Sequence, residues 1–444
     1  MFCNSNSVYS PLGLNIYRGA ILRLISEQKL EFFEDALIIS ESKGVSDGKI
    51  VAIGASQELA AKLKINLAEI PINPELLMPA LYDTHFHWVQ DDVRDMPKTS
   101  LIEWLNLYTF PEEAKYVNPE FARNKAKQFW QKILSVGTIG GCCYSSIHEI
   151  ALAEAFKYAP EDFCIGNVLM TMNCPDNLKQ SIDDAKFCVN NCSDIYKSRY
   201  VSTPRFAPTT NPDVMLEAAY AAERNNCLMQ THLGETKNEI EWVIDIYKKL
   251  HGFEDIQSYT EIYQRVNMLG PKTIFGHCIY LNDREWELLS NSRSKISSCP
   301  TSNAPIDQLG IGSGLFDFQK AESMGIAWSL GSDIGGGPFL SMFDVMRSFV
   351  EQNQEIGINN ANYTKALFRS TFMGAEAMGI SSDRGMLIEG YYFDAIRVPM
   401  PKNITKLKNG EEVLSTLINS IPNRASADNL VLETIIKGKT RFKI

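Results

Sequence analysis

The chain has 444 residues, 45% hydrophobic and 22% charged, the balance of a soluble globular protein with one large domain and an appendage, or two or three domains. A net charge of −10 argues against nucleic acid or an anionic membrane as a main partner. No apolar run approaches the ~18 residues that span a bilayer, and no basic start followed by an apolar core marks a signal peptide.

Residues 1–75 read as β-rich, with strands at 15–25 and 36–40 and a Ser46-Asp47-Gly48-Lys49 turn leading into 50–53. That core is too small to stand well alone. An apolar run then climbs from Leu76 to Tyr82 and ends in Asp83-Thr84-His85-Phe86-His87. In a strand, His85 and His87 share a face and Phe86 takes the other. Two imidazoles so placed can share one divalent metal; taken alone, an HxH fits equally well two polar residues leaving a core strand. Leu101, Ile102, Trp104, Leu105 and Tyr108 follow on one helical face. Further buried strands are predicted at 137–144, 163–173, 199–206, 228–232, 273–277, 296–299 and 326–333, with helices such as 214–225 and 239–250 between them. Eight buried strands alternating with helices predict an α/β fold, a (β/α)₈ TIM-like barrel over 76–384. Strand-like runs return at 394–398 and 429–436. The two β-rich ends, 1–75 and 385–444, are expected to pair into a small β-sandwich side domain.

Barrel active sites lie at the C-terminal strand ends. Here those ends carry His85 and His87, Arg205 and Phe206, His232 with Glu235 just beyond, His277, and Asp333 before Gly335-Gly336-Gly337. Four of the six histidines fall there; His148 and His251 do not. Singly, each such histidine is better explained as a structural residue; for Glu235 a helix N-terminal charge ranks below a catalytic role because it follows His232 so closely. Their concentration at one face is the strongest functional signal. The triple glycine lacks the GK[ST] context of a phosphate loop and reads as backbone approaching the site closely. Ten scattered cysteines without a CxxC pair read as buried reduced thiols of a cytoplasmic protein.

The segments YDTHFH, QTHLGE, IFGHCIYL, SSCPTSN, GSGLFDFQ and SLGSDIGGG, in this order, resemble the amidohydrolase superfamily. EWLNLYTFPEE, TPRFAPT and QTHLGETKNEIEWV narrow the resemblance to its guanine-deaminating branch, over about residues 17–439. The resemblance implies one Zn²⁺ per chain bound by His85, His87, His232 and Asp333. It implies Asp333 and Glu235 as proton carriers, and His277 beside the attacked carbon. Gln90 and Arg205 would bond the purine edge and Phe206 lie on its face. The expected reaction is hydrolysis of guanine to xanthine and ammonia, by a cytoplasmic homodimer. Alternatives are another aminated heterocycle, such as an oxidised purine, pterin or triazine, or a non-catalytic barrel relative, which usually loses metal ligands. Departures from the family pattern are Ala80, Thr236 and a longer 303–312 loop.

Overall fold

In the computed structural model of the chain, residues 8–9, 13–44, 47–303, 310–407, 409–422 and 426–444 are described. Ser46 of the early turn and residues 304–309 of the 303–312 loop lie outside them. Two compact units result, one of Met1–Tyr82, Gln131–Ile139 and Ser341–Ile444, the other of Asp83–Trp130 and Gly140–Leu340.

The two chain ends build one mixed sheet. Its strands run Lys439–Lys443, Glu433–Ile436, Ala395–Val398, Asn73–Pro79, Leu14–Ser26, Lys29–Glu41 and Ile50–Ala55, with Val8–Tyr9 paired to Leu14–Ser26. Asn73–Pro79 runs parallel to Leu14–Ser26 and antiparallel to Ala395–Val398. The period-two alternation of these strands gathers Tyr17, Ile21, Ile38, Ile53, Leu77 and Phe393 into one buried cluster. Both ends therefore make the side domain, as the sequence predicts.

The second sheet is a parallel barrel taken in sequence order: Leu81–His87, Thr138–Ser145, Asp162–Leu169, Val201–Pro204, Leu228–Leu233, Thr273–His277, Lys295–Ser298 and Trp328–Leu330. Seven of the eight fall on the predicted apolar runs, and the first takes only the end of its run. Parallel neighbours need a crossover between them, and helices such as Pro212–Asn225 and Lys237–Tyr247 supply it. Lys237–Tyr247 starts at a capping box in which Thr236 Oγ1 accepts from the Glu239 N–H and the Glu239 carboxylate accepts from the Thr236 N–H, both at 3.2 Å. That accounts for the threonine at 236. At the seam, Thr84 Oγ1 meets Ser297 Oγ at 2.7 Å and Ser329 Oγ at 2.8 Å.

Two local features differ from the sequence reading. The apolar run through residue 82 is not one strand. Asn73–Pro79 belongs to the mixed sheet and Leu81–His87 to the barrel. Pro79 has no N–H to extend a ladder; the Ala80 N–H then goes to Asp394 O at 3.1 Å and the Leu81 N–H to Gly137 O at 3.0 Å. The helical face after residue 101 is real but interrupted. A turn of α-helix, Leu101–Trp104, passes into a π-helical turn, Leu105–Thr109, and back into α-helix at Phe110–Ala114.

Phe86 takes the face opposite the two histidines. It is fully buried against Phe129, Trp130 and Phe163, with ring centroids 5.8–6.2 Å away. Phe86→Ala is expected to cost about 3–5 kcal/mol of stability, read as a lower midpoint in chemical unfolding.

Candidate active site

The strand ends bring most of the predicted residues together. His85 Nε2 and His87 Nε2 each lie 3.4 Å from Asp333 Oδ1, and His232 Nε2 lies 3.2 Å from His87 Nε2. His232 Nδ1 is 2.7 Å from the Arg205 carbonyl, which fixes the ring and turns the lone pair of Nε2 into the cluster. His277 Nε2 is 3.5 Å from Glu235 Oε2, and its Nδ1 is 3.0 Å from Asn303 Oδ1. The Asn303 amide donates to Glu235 Oε1 at 3.2 Å. His87, Gln90, Arg205, Phe206, His232, Glu235, His277 and Asp333 share one pocket with Leu101, Trp104, Leu105, Glu239 and Ile311. His251 is exposed beside Glu254, and His148 precedes the helix Glu149–Tyr158; neither belongs to the cluster.

Glycine makes the fit possible. A Cβ on Gly276 would lie 2.4 Å from the His85 ring. At Gly335, φ is +115° and a Cβ would meet Gln90 Oε1 at 2.2 Å; at Gly336 it would meet Asp333 Oδ2 at 2.6 Å. At the site, His277, Cys278 and Asp333 hold φ values of 73°, 54° and 48°, left-handed conformations costly for non-glycine residues.

Burial holds His85, His87 and His232 below the usual imidazole range, so they are neutral and able to donate lone pairs. Burial works against ionisation of Asp333, but the imidazoles of His85 and His277 beside it hold it at about 2. Burial, with the Asp333 charge beside it, raises the Glu235 carboxyl well above its usual range. Glu239 is raised to about 7 by burial and by Glu235. Imidazoles and carboxylates are the donor types of divalent-metal sites, and His85, His87 and Asp333 offer ligand atoms within 4.8 Å of one another, as do His85, His232 and His277. His85 Nε2, His87 Nδ1 and His277 Nε2 are buried without a hydrogen-bond partner, and the first faces the Asp333 carboxylate as a metal ligand would.

The sequence reading passed over Glu113. It is fully buried and lies 2.9 and 2.7 Å from Arg205 NH1 through its two carboxylate oxygens. It also accepts from Gln90 Nε2 at 2.7 Å. The quoted segment YTFPEE contains it, but nothing local separates Glu113 from its neighbour Glu112. Asn303, at the end of the short helix Pro300–Asn303, and Ser313 both reach Glu235 Oε1 and were missed because they carry no charge and lie far along the chain from it. Trp104 lines the pocket, whereas Trp88 is buried against Tyr116 and donates to Ser145 Oγ at 3.0 Å.

Residues 76–441 match the amidohydrolase family. The chain belongs to that family. It is 30% identical to guanine deaminase of Escherichia coli over 83% of this chain and 82% of that one. It is likewise 30% identical to guanine deaminase of Dictyostelium discoideum, over 86% and 88%. A solved guanine deaminase from C. acetobutylicum, with guanine bound in its active site, superposes with a TM-score of 0.82 at 26% identity, over 97% of this chain and 100% of that one. Among the described residues, no helix is long and apolar enough to cross a membrane.

Gly276→Ala is expected to displace the His85 imidazole while leaving the far-ultraviolet circular dichroism unchanged. Divalent-metal affinity, measured by titration of the stripped protein, should fall by about ten- to a hundredfold.

Proposed function

We propose that the protein hydrolyses guanine to xanthine and ammonia, with one Zn²⁺ per chain held by His85, His87, His232 and Asp333. The observation that carries the reading is the donor cluster lying beside a buried, raised carboxyl, Glu235, in the pocket that also presents Arg205, Gln90 and Phe206. The guanine-bound relative supports the substrate. When bound, zinc supplies Lewis acidity and makes hydroxide available at neutral pH.

The chain's own residues do the rest. Asp333, ionised, takes a proton from the attacking water. Glu235, its carboxyl raised by burial and by the Asp333 charge, passes a proton to a ring nitrogen and then serves the leaving ammonia. Asn303 and Ser313 hold Glu235 Oε1 and leave Oε2 facing His277. His277 stands beside the carbon under attack and orients it. Arg205 and Gln90 bond the polar edge of the purine, and Phe206 lies against its face. We take domain boundaries at 75/76 and 384/385; the strands themselves divide between the two sheets after Pro79, since Asn73–Pro79 lies in the mixed sheet and Leu81–His87 in the barrel. A cytoplasmic homodimer completes the reading; light scattering of the purified protein tests the dimer.

The deciding experiment is turnover against guanine, adenine, a pterin and a triazine. Guanine should be consumed with release of ammonia, and preference for a triazine or adenine would overturn the substrate while leaving the hydrolase. His232→Ala should lose stoichiometric metal and activity together; retention of both would remove it from the ligand set. Glu235→Gln should keep metal and fold but slow turnover by roughly 10²–10⁴-fold. A change of only a few-fold would make Glu235 structural.

A further inference from the structure

We infer that Glu113 is the positioning residue that sets which way the recognition edge of the pocket is polarised, and so selects a heterocycle bearing a carbonyl. The inference rests on reading the site as a guanine-deaminating pocket.

One carboxylate holds both polar side chains of that edge. Arg205 NH1 lies 2.9 and 2.7 Å from the two Glu113 oxygens, and Gln90 Nε2 lies 2.7 Å from one of them. Glu113, Gln90 and Arg205 are 0%, 2% and 2% exposed. A carboxylate only accepts hydrogen bonds, so the Gln90 amide must turn its NH₂ towards Glu113. Its Oε1 then looks away, over Gly335, where a Cβ would come within 2.2 Å of it. Gln90 is thereby an acceptor towards the pocket. Arg205 is a donor by nature, and the charge of Glu113 compensates its burial and anchors NH1, leaving its other N–H groups for a ligand. Phe110, in the same helical segment as Glu113, lies 5.2 Å under the guanidinium and limits its other freedom.

The pocket therefore offers a fixed donor and a fixed acceptor. Guanine answers with its carbonyl and a ring N–H. Adenine offers an exocyclic amine instead of the carbonyl, so a donor would face Arg205. 2-Aminopurine keeps the reacting C2 amine of guanine but has no carbonyl, which makes it the probe for the edge alone. A site built around buried polar groups rejects ligands that leave them unpaired far more strongly than an apolar site can. With glutamine at 113, the charge is gone and the new amide can donate as well as accept. Gln90 is then free to flip, and Arg205 loses its anchor.

The test is steady-state kinetics of wild type, Glu113→Gln and Glu113→Asp on guanine and 2-aminopurine, with metal content and melting temperature measured alongside. Wild type should prefer guanine in kcat/KM by a factor on the order of 10² or more. Glu113→Gln should raise KM for guanine more than it lowers kcat and reduce the preference to about tenfold or less. Bound metal should be unchanged. Glu113→Asp, which keeps the carboxylate, should restore part of the preference. An equal loss on both substrates, or no loss, would overturn the inference. Should Glu113→Gln fail to fold, the double variant Glu113→Gln/Arg205→Met removes both charges together. It should lose the preference to the extent that Arg205→Met does, and a double variant that kept it would also overturn the inference. A wild type that leaves guanine untouched overturns the functional reading and this inference with it; a wild type active on guanine whose preference ignores residue 113 overturns only the inference.

Discussion

A single backbone hydrogen bond, from the Asp333 N–H to the His85 carbonyl at 2.8 Å, both closes the barrel and builds the cluster. It joins the segment after the eighth strand to the first strand, where an open edge would otherwise leave unpaired groups. The same two residues then carry side chains 3.4 Å apart. Around this bond, Asp83 ties the strands again. Its carboxyl accepts from the Ser332 N–H at 3.0 Å, the Ser332 hydroxyl at 2.5 Å and the His85 N–H at 3.2 Å. Burial raises that carboxyl to about 7 in spite of the Ser332 bonds. Fold and site are therefore not separable here: the strand closure that the barrel needs is the geometry that the donors use.

Arg205 has a comparable double function. Its backbone carbonyl orients the His232 ring, and its side chain pairs with Glu113. Breaking a buried ion pair by removing one partner costs about 3–5 kcal/mol, whereas replacing the whole pair with apolar groups is often neutral or favourable. Stability alone therefore gives no reason to keep such a pair in a pocket wall. Placement of hydrogen-bonding groups does. The Glu235–Asn303–His277 set obeys the same logic, since each polar atom that burial would leave alone is given a neighbour that also limits where it can point.

The sequence made the barrel legible because a parallel strand buried on both faces is a short apolar run, and seven of the eight predicted runs became barrel strands while the first contributed its end. The cluster was legible because chemistry placed four of six histidines at the ends of those runs. The break after Pro79 was hidden, since apolar residues continue through it and only the partners of successive amides reveal two sheets. Glu113, Asn303 and Ser313 were hidden for a related reason. Their importance lies in contacts across more than sixty positions of chain, and neither residue type nor local spacing marks them. Residues with unusual chemistry announce themselves; ordinary ones that position them do not.

The placement of Glu113 depends on the backbone that precedes it. Leu101, Trp104 and Leu105 face the pocket, while Glu113 must come round to meet Arg205 at the same wall. An α-helix turns about 100° per residue, so a straight one would carry position 113 about 80° away from the face of Leu105. The wider π turn at Leu105–Thr109 winds less per residue and takes that rotation back. The recognition arm is thus assembled from a helical segment and the end of the fourth strand, whereas the donor cluster is drawn from the first and fifth strands and the segment after the eighth. A change in the arm can alter which heterocycle fits without moving a metal ligand. In the narrower segments the pairing is direct, since Arg205 of TPRF reaches Glu113, two residues beyond YTFP, through both carboxylate oxygens.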